Sequence, residues 1–244
     1  NSIAVIPVTS GSIKDFWEDS LPDSFTKVQT VTFGKTGIFH FDGDYTDSNS
    51  SGLTVTNSGT TLVEDPSVNG GQSIRFSGAG ASSCIEITDA PDHDMLHWDA
   101  EFTLDFWFKL DDRDQVVSLL ASKGYHPSHP SPNEWETPGY LAITFSGLAH
   151  PQLGDYKFYV GMGNQGGSAN AFDASSVTNN TWHHFAITRD TSGDTRFFLD
   201  GVLKLTNTQN NAGTIQPNTT DGYRMGIYTD GSTAPLEGNI DELR

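Results

Sequence analysis

Nine residues, Phe102 to Leu110, do most to restrict what this chain can fold into. Phe102, Leu104, Phe106, Phe108 and Leu110 alternate with Thr103, Asp105, Trp107 and Lys109. A period of two matches the alternating faces of a strand and cannot be laid along one side of a helix. One apolar face opposite a polar face is the pattern of an antiparallel sheet with one side buried. The same period recurs in Ile74/Phe76, Ile85/Ile87, Leu141/Ile143/Phe145, Phe158/Val160, His183/Phe185/Ile187 and Tyr223/Met225/Ile227. Turn signals lie between these segments at Asn69-Gly70, Asp200-Gly201, Asp221-Gly222 and Asp230-Gly231. Asp200-Gly201, set between Arg196-Phe-Phe-Leu and Val-Leu-Lys204, predicts a tight hairpin, because Asp-Gly tolerates two successive positive φ angles. The chain has no internal repeat, heptad or long helical period. The expected fold is therefore all-β, two antiparallel sheets packed face to face as a β-sandwich.

Its 244 residues suit a single all-β domain. Such a domain buries enough surface to need no staple, and with Cys84 as the lone cysteine no internal disulfide can form. The first 37 residues lack the alternation, and Ser12-Ile-Lys-Asp predicts a capped helical turn there. Residues 1–37 are thus expected to be a lead-in or packing arm and 38–244 the sandwich. The chain opens on Asn1, and a larger parent protein is expected around it. Thirteen Lys and Arg against 31 Asp and Glu leave a formal charge of −18. That excess excludes the cationic surface a nucleic-acid binder needs and argues against acidic ligands, while favouring divalent cations. Apolar runs such as Val116 to Ala121 fall far short of the roughly 20 residues that span a bilayer, so no membrane insertion is expected.

Four segments, in order, resemble the laminin G-like jelly roll of the concanavalin A-like lectin/glucanase fold. They are Phe102-Thr-Leu-Asp-Phe-Trp-Phe-Lys-Leu, Thr181-Trp-His-His-Phe-Ala-Ile-Thr-Arg-Asp, Phe198-Leu-Asp-Gly and Gly238-Asn-Ile-Asp-Glu-Leu-Arg. Phe39-His-Phe-Asp-Gly and Gly71-Gln-Ser-Ile-Arg-Phe-Ser-Gly resemble its opening strands, so the likeness runs from about residue 38 to the end. The resemblance implies that the first and last strands lie side by side. It also implies a strand beyond Arg244 in the parent chain, and it is a statement about fold more than function.

Asp42, Asp44 and Asp47 put three carboxylates in one short turn, a donor set that suits calcium. The resemblance would bring Asp241 to the same turn, and related domains hold a calcium ion. The alternative is that these aspartates are ordinary turn formers. The proline-rich loop from Tyr125 to Tyr140 is long for a compact domain, and its Tyr125, Asn133, Glu134 and Trp135 are the kinds of side chain that grip a sugar. His126 and His129 in it are spaced for a metal but lack an evident third ligand. Asp105 and Trp107 project from the polar side of the strongest strand. If that strand lies in the concave sheet, the resemblance makes them part of the groove where glucanases hold substrate. The alternative for Trp135 is folding back as a lid on the sandwich edge, and for Trp107 cover by a neighbouring loop. His183 and His184 must face opposite ways and cannot chelate one ion together. Cys84 is expected in the core, and Asn49, Asn179 and Asn218 stand in Asn-x-Ser/Thr sequons.

No catalytic centre is legible. The Glu-x-Asp-x-x-Glu strand of sandwich glucanases, the Gln-x-His strand of sandwich lyases and a Gly-x-Ser-x-Gly elbow are all missing. The leading expectation is a non-catalytic, calcium-assisted module that recognises glycans or a glycosylated surface. It would belong to a secreted, cell-surface or viral-particle protein, with neighbouring domains or further copies as its other partners. A structural or adhesion spacer without a small ligand is the alternative, and a hydrolase whose acids meet only in space is third.

Overall fold

Each alternating segment of the sequence becomes a strand, although the last ends at Met225 and leaves Ile227 outside it. The computed structural model describes residues 37–48, 53–64, 71–88, 101–122, 141–148, 154–162, 170–208, 222–228 and 233–244. The expected lead-in at 1–37, all but Gly37, and the Tyr125–Tyr140 loop therefore lie outside the described residues. The strands are β1 (Thr54–Ser58), β2 (Thr61–Val63), β3 (Ser73–Ser77), β4 (Cys84–Thr88), β5 (Phe102–Leu110), β6 (Val117–Ser122) and β7 (Leu141–Ser146). They continue with β8 (Lys157–Met162), β9 (Ala171–Asp173), β10 (Trp182–Arg189), β11 (Thr195–Leu199), β12 (Val202–Asn207), β13 (Tyr223–Met225) and β14 (Glu237–Asp241). The first sheet runs β1-β4-β13-β6-β7-β8-β9 and the second β12-β11-β10-β5-β14-β3-β2, with every pair antiparallel. This is the expected two-sheet sandwich. Among the described residues no helix is long and apolar enough to cross a membrane.

The core is built from the apolar faces that the alternation marked. Leu104, Phe106, Phe108 and Leu110 of β5 share one buried core with Phe145 and Phe158 of the first sheet, the Phe108 and Phe158 ring centroids lying 5.6 Å apart. Cys84 begins β4 and is buried, as a small core residue should be. At the predicted hairpin Leu199 pairs with Val202, and Asp200 and Gly201 sit at φ 52° and 74°, two positive angles in a two-residue turn. The Asp200 carboxylate also caps the adjacent strand, accepting the His184 backbone N–H at 2.9 Å.

Two surface carboxylates make the fold acid-sensitive. Asp111 forms a two-pronged pair with Arg75, one bond being 2.6 Å, and that pairing holds its pKa below the ordinary value. Asp190 accepts bonds from the Ser192 hydroxyl and Arg196, each at 2.6 Å, and these hold it well below the usual carboxylate range. A carboxyl whose folded pKa is depressed contributes stability above its unfolded value, about 3.9, and loses that contribution as pH falls through the folded value. Stability should therefore fall with pH below about 4, and Asp111→Asn and Asp190→Asn should each flatten that decline. Denaturant midpoints across the acid range check this. Equal slopes in wild type and both variants would contradict it.

Candidate functional site

The two ends of the sandwich domain meet. Phe39 N–H donates to the Leu243 carbonyl at 2.8 Å, and Leu243 N–H donates back at 3.0 Å, as the side-by-side strands required. Asp241 stands opposite Trp107, while Arg244 exchanges both backbone bonds with Asp105. Two residues, Glu242 and Leu243, thus oppose Phe106 alone. This is a bulge, with Glu242 at φ 52°. The bulge returns Arg244 to the outer face, where its guanidinium reaches the Asp105 carboxylate at 2.8 Å. Glu242 is nearly buried, and His40 Nδ1 lies 3.0 Å from each of its carboxylate oxygens.

The predicted calcium ligands lie around this junction, each with its own local bond. Asp42 accepts the Gln72 N–H at 2.8 Å, and Asp47 accepts the Ile38 N–H at 2.9 Å. Asp44 accepts from the Thr46 hydroxyl and N–H, at 2.6 and 2.8 Å, which lowers its pKa. Asp241 is buried and accepts the Glu242 N–H at 2.9 Å. Gly71 packs so closely on Asp42 that a Cβ there would stand 1.6 Å from its carboxylate oxygen. Among the described residues no three His, Cys, Asp or Glu side chains gather as a metal set.

Asp105 and Trp107 lie where the alternation put them, on the outer face of the second sheet. Trp107 is half-buried, its ring centroid 4.9 Å from that of His184 on the neighbouring strand. His184 Nε2 lies 3.3 Å from Asp105, so Asp105 links Arg244 and His184. His183 faces the other way, 5.8 Å from the Phe108 ring. Its Nε2 accepts the Thr178 N–H at 3.1 Å, so the network assigns its proton to Nδ1, which donates to Asp200 at 2.9 Å. That double use makes it a structural histidine. One pair further along the face, Lys109 opposes Trp182, its ammonium 5.2 Å from the indole centroid. Burial pulls the pKa of Lys109 down. Asn239 pairs with Lys109 from the other side and accepts a bond from Arg75 at 3.3 Å. The first sheet's outer face is different: Ala121 and Ala142 are buried there with Tyr228 packed against them.

The sequence nominated Asp105 and Trp107 and singled out His184 only as unable to chelate with His183; it missed Lys109, Trp182, Asn239 and Arg244. Alternation alone puts Trp182 and His184 opposite the His183/Phe185/Ile187 stripe. What it lacks is the register that sets them against Lys109 and Trp107. Tyr125, Asn133, Glu134, Trp135, His126 and His129 lie outside the described residues. Asn179 sits in an exposed turn, its amide oxygen accepting the Arg113 N–H at 2.9 Å.

Known proteins share this architecture. Residues 78–244 match the laminin G-like family described as the concanavalin A-like lectin/glucanases superfamily. No curated protein matches the sequence. The botulinum neurotoxin serotype D binding domain superposes with a TM-score of 0.58 at 12% identity, over 85% of this chain and 46% of that one. Trypanosoma rangeli sialidase in complex with sialic acid gives 0.57 at 14%, over 85% and 30%. The botulinum neurotoxin type G receptor binding domain gives 0.55 at 13%, over 86% and 47%. The chain spans less than half the length of each of these structures, and at such identities the likeness is one of fold. The family match covers well over half of the chain, which therefore belongs to the concanavalin A-like lectin/glucanase superfamily.

Proposed function

We propose that this chain is a non-catalytic glycan-recognition module of a larger secreted, cell-surface or viral-particle protein. The observation that carries the reading is the outer face of the second sheet. There a partly exposed indole, Trp107, stands beside the hydrogen-bonding groups of Asp105 and His184 on strands held from both sides. Aromatic faces and fixed polar groups are what a sugar ring requires. Superfamily membership supports the reading, as does the fold shared with a sialidase whose structure contains sialic acid. The reading is non-catalytic because a retaining glycosidase needs two carboxyls about 5–5.5 Å apart across one bond. The acids of the last strand instead take separate tasks, Asp241 on a backbone N–H and Glu242 on His40.

Calcium assistance belongs to the same proposal. Asp42, Asp44 and Asp47 lie near the junction that also carries Asp241, and carboxylate oxygens are the donors calcium prefers. An ion there would exchange some of their present bonds for metal–oxygen bonds. A broad glycan array, read once in calcium and once in chelator, tests both parts. The expected result is binding to a coherent set of glycans, weaker in chelator, together with a higher melting temperature in calcium. Silence across the array would refute recognition, and equal binding and melting in chelator would refute the calcium part.

A further inference from the structure

The outer face of β5 and β10 carries an arrangement that sheet stability alone does not require. Two consecutive cross-strand pairs, Trp107 with His184 and Lys109 with Trp182, form a two-by-two block on one face. Within it Trp107 and Trp182 are diagonal neighbours, a relation that sets backbones about 7–8 Å apart and keeps large rings within reach of one ligand. Both indoles are partly exposed and neither belongs to the buried core. Strand β5 is bonded to β10 on one side and β14 on the other, so the platform is fixed before any ligand arrives and little ordering is lost on binding. His184 braces Trp107, and the Lys109 ammonium sits over Trp182. Asp105 flanks the block, a partly exposed carboxylate able to meet hydroxyl groups, whereas Asn239 on the other side is buried, its amide donating to Ser73 and accepting from Arg75. The chain's formal charge of −18 repels anions at long range.

We propose that Trp107 and Trp182 form a stacking platform for an uncharged glycan, with Asp105 contacting its hydroxyls. The inference rests on the glycan-recognition reading and adds to it the second indole, the two-ring platform and the ligand class. The test uses the full chain against gluco-, galacto-, manno- and xylo-oligosaccharides, alongside sialylated and sulfated ones, with Trp107→Ala and Trp182→Ala in parallel. Wild type should bind an uncharged oligosaccharide. Each variant, at an unchanged melting temperature, should bind it at least about tenfold more weakly, as for an anchoring aromatic. If an alanine variant does not fold, the indole N–H signals of Trp107 and Trp182 in wild type, followed by NMR during titration with the same oligosaccharide, should move. Unchanged affinity in folded variants, or unmoved indole signals at saturation, would overturn the platform while leaving glycan recognition standing. Binding confined to sialylated or sulfated glycans would overturn the ligand class. Silence of wild type on every glycan would overturn the underlying reading as well.

Discussion

Phe158→Ala should lower the unfolding free energy by about 3–5 kcal/mol, the range for deleting a buried aromatic side chain. Phe158 is fully buried on β8 of the first sheet. Its ring centroid lies 5.6 Å from Phe108 and 4.9 Å from Phe185, both on the second sheet, and 5.5 Å from each of Phe145 and Phe172 on its own. The substitution removes the ring that ties the two layers together and leaves a cavity walled by other rings, which cannot collapse without leaving their rotamers. For a chain of this size the loss corresponds to a melting temperature lower by roughly 6–20 °C. Leu203→Ala is the matched control: Leu203 is half exposed, and the change should stay within about 0.5 kcal/mol. Chemical denaturation of both variants gives the comparison, and similar midpoints would contradict the assigned core.

Gly226→Ala is expected to cost about 2–5 kcal/mol, through two separable causes. Gly226 follows β13 at φ 83°, a left-handed conformation that strains any residue with a Cβ. Its backbone is also tied on both sides, with the N–H donating to Leu119 and the carbonyl accepting from Leu236. A methyl group there would stand 2.3 Å from the Phe76 ring, which is completely buried and has nowhere to move. Gly201→Ala separates the causes. Gly201 has a similar φ of 74° but open space around the would-be Cβ, so only the conformational cost of about 1–2 kcal/mol remains. Denaturation midpoints should place Gly226→Ala well below Gly201→Ala. Equal losses would mean that the close packing of β13 on Phe76 is wrong.

Much of the architecture was legible because the relevant signals are local. The period-two run from Phe102 to Leu110 coincides with β5 at both ends, and Asp200-Gly201 makes the turn that its chemistry demands. Strands with weak alternation escaped: β1 is polar and mostly exposed, and β2 and β9 are three residues each. Their existence depends on edges supplied by distant strands. The site divides the same way. Asp105 and Trp107 were readable from the polar side of one strand. Trp182, Lys109 and Asn239 join them only through a register linking residues tens of positions apart, which no local pattern encodes. The junction of Phe39 with Leu243 came from the family resemblance, not from spacing. The bulge at Glu242 that redirects Arg244 onto Asp105 had no sequence signal at all.

Recognition without chemistry is the claim on which the functional account turns, and one titration tests it most directly. The glycan with the strongest array signal is titrated into the full chain in a calorimeter, and the recovered sugar is then weighed by mass spectrometry. The account predicts saturable heat from a single class of site and a glycan returned intact. No heat, or a glycan returned in fragments, would contradict it.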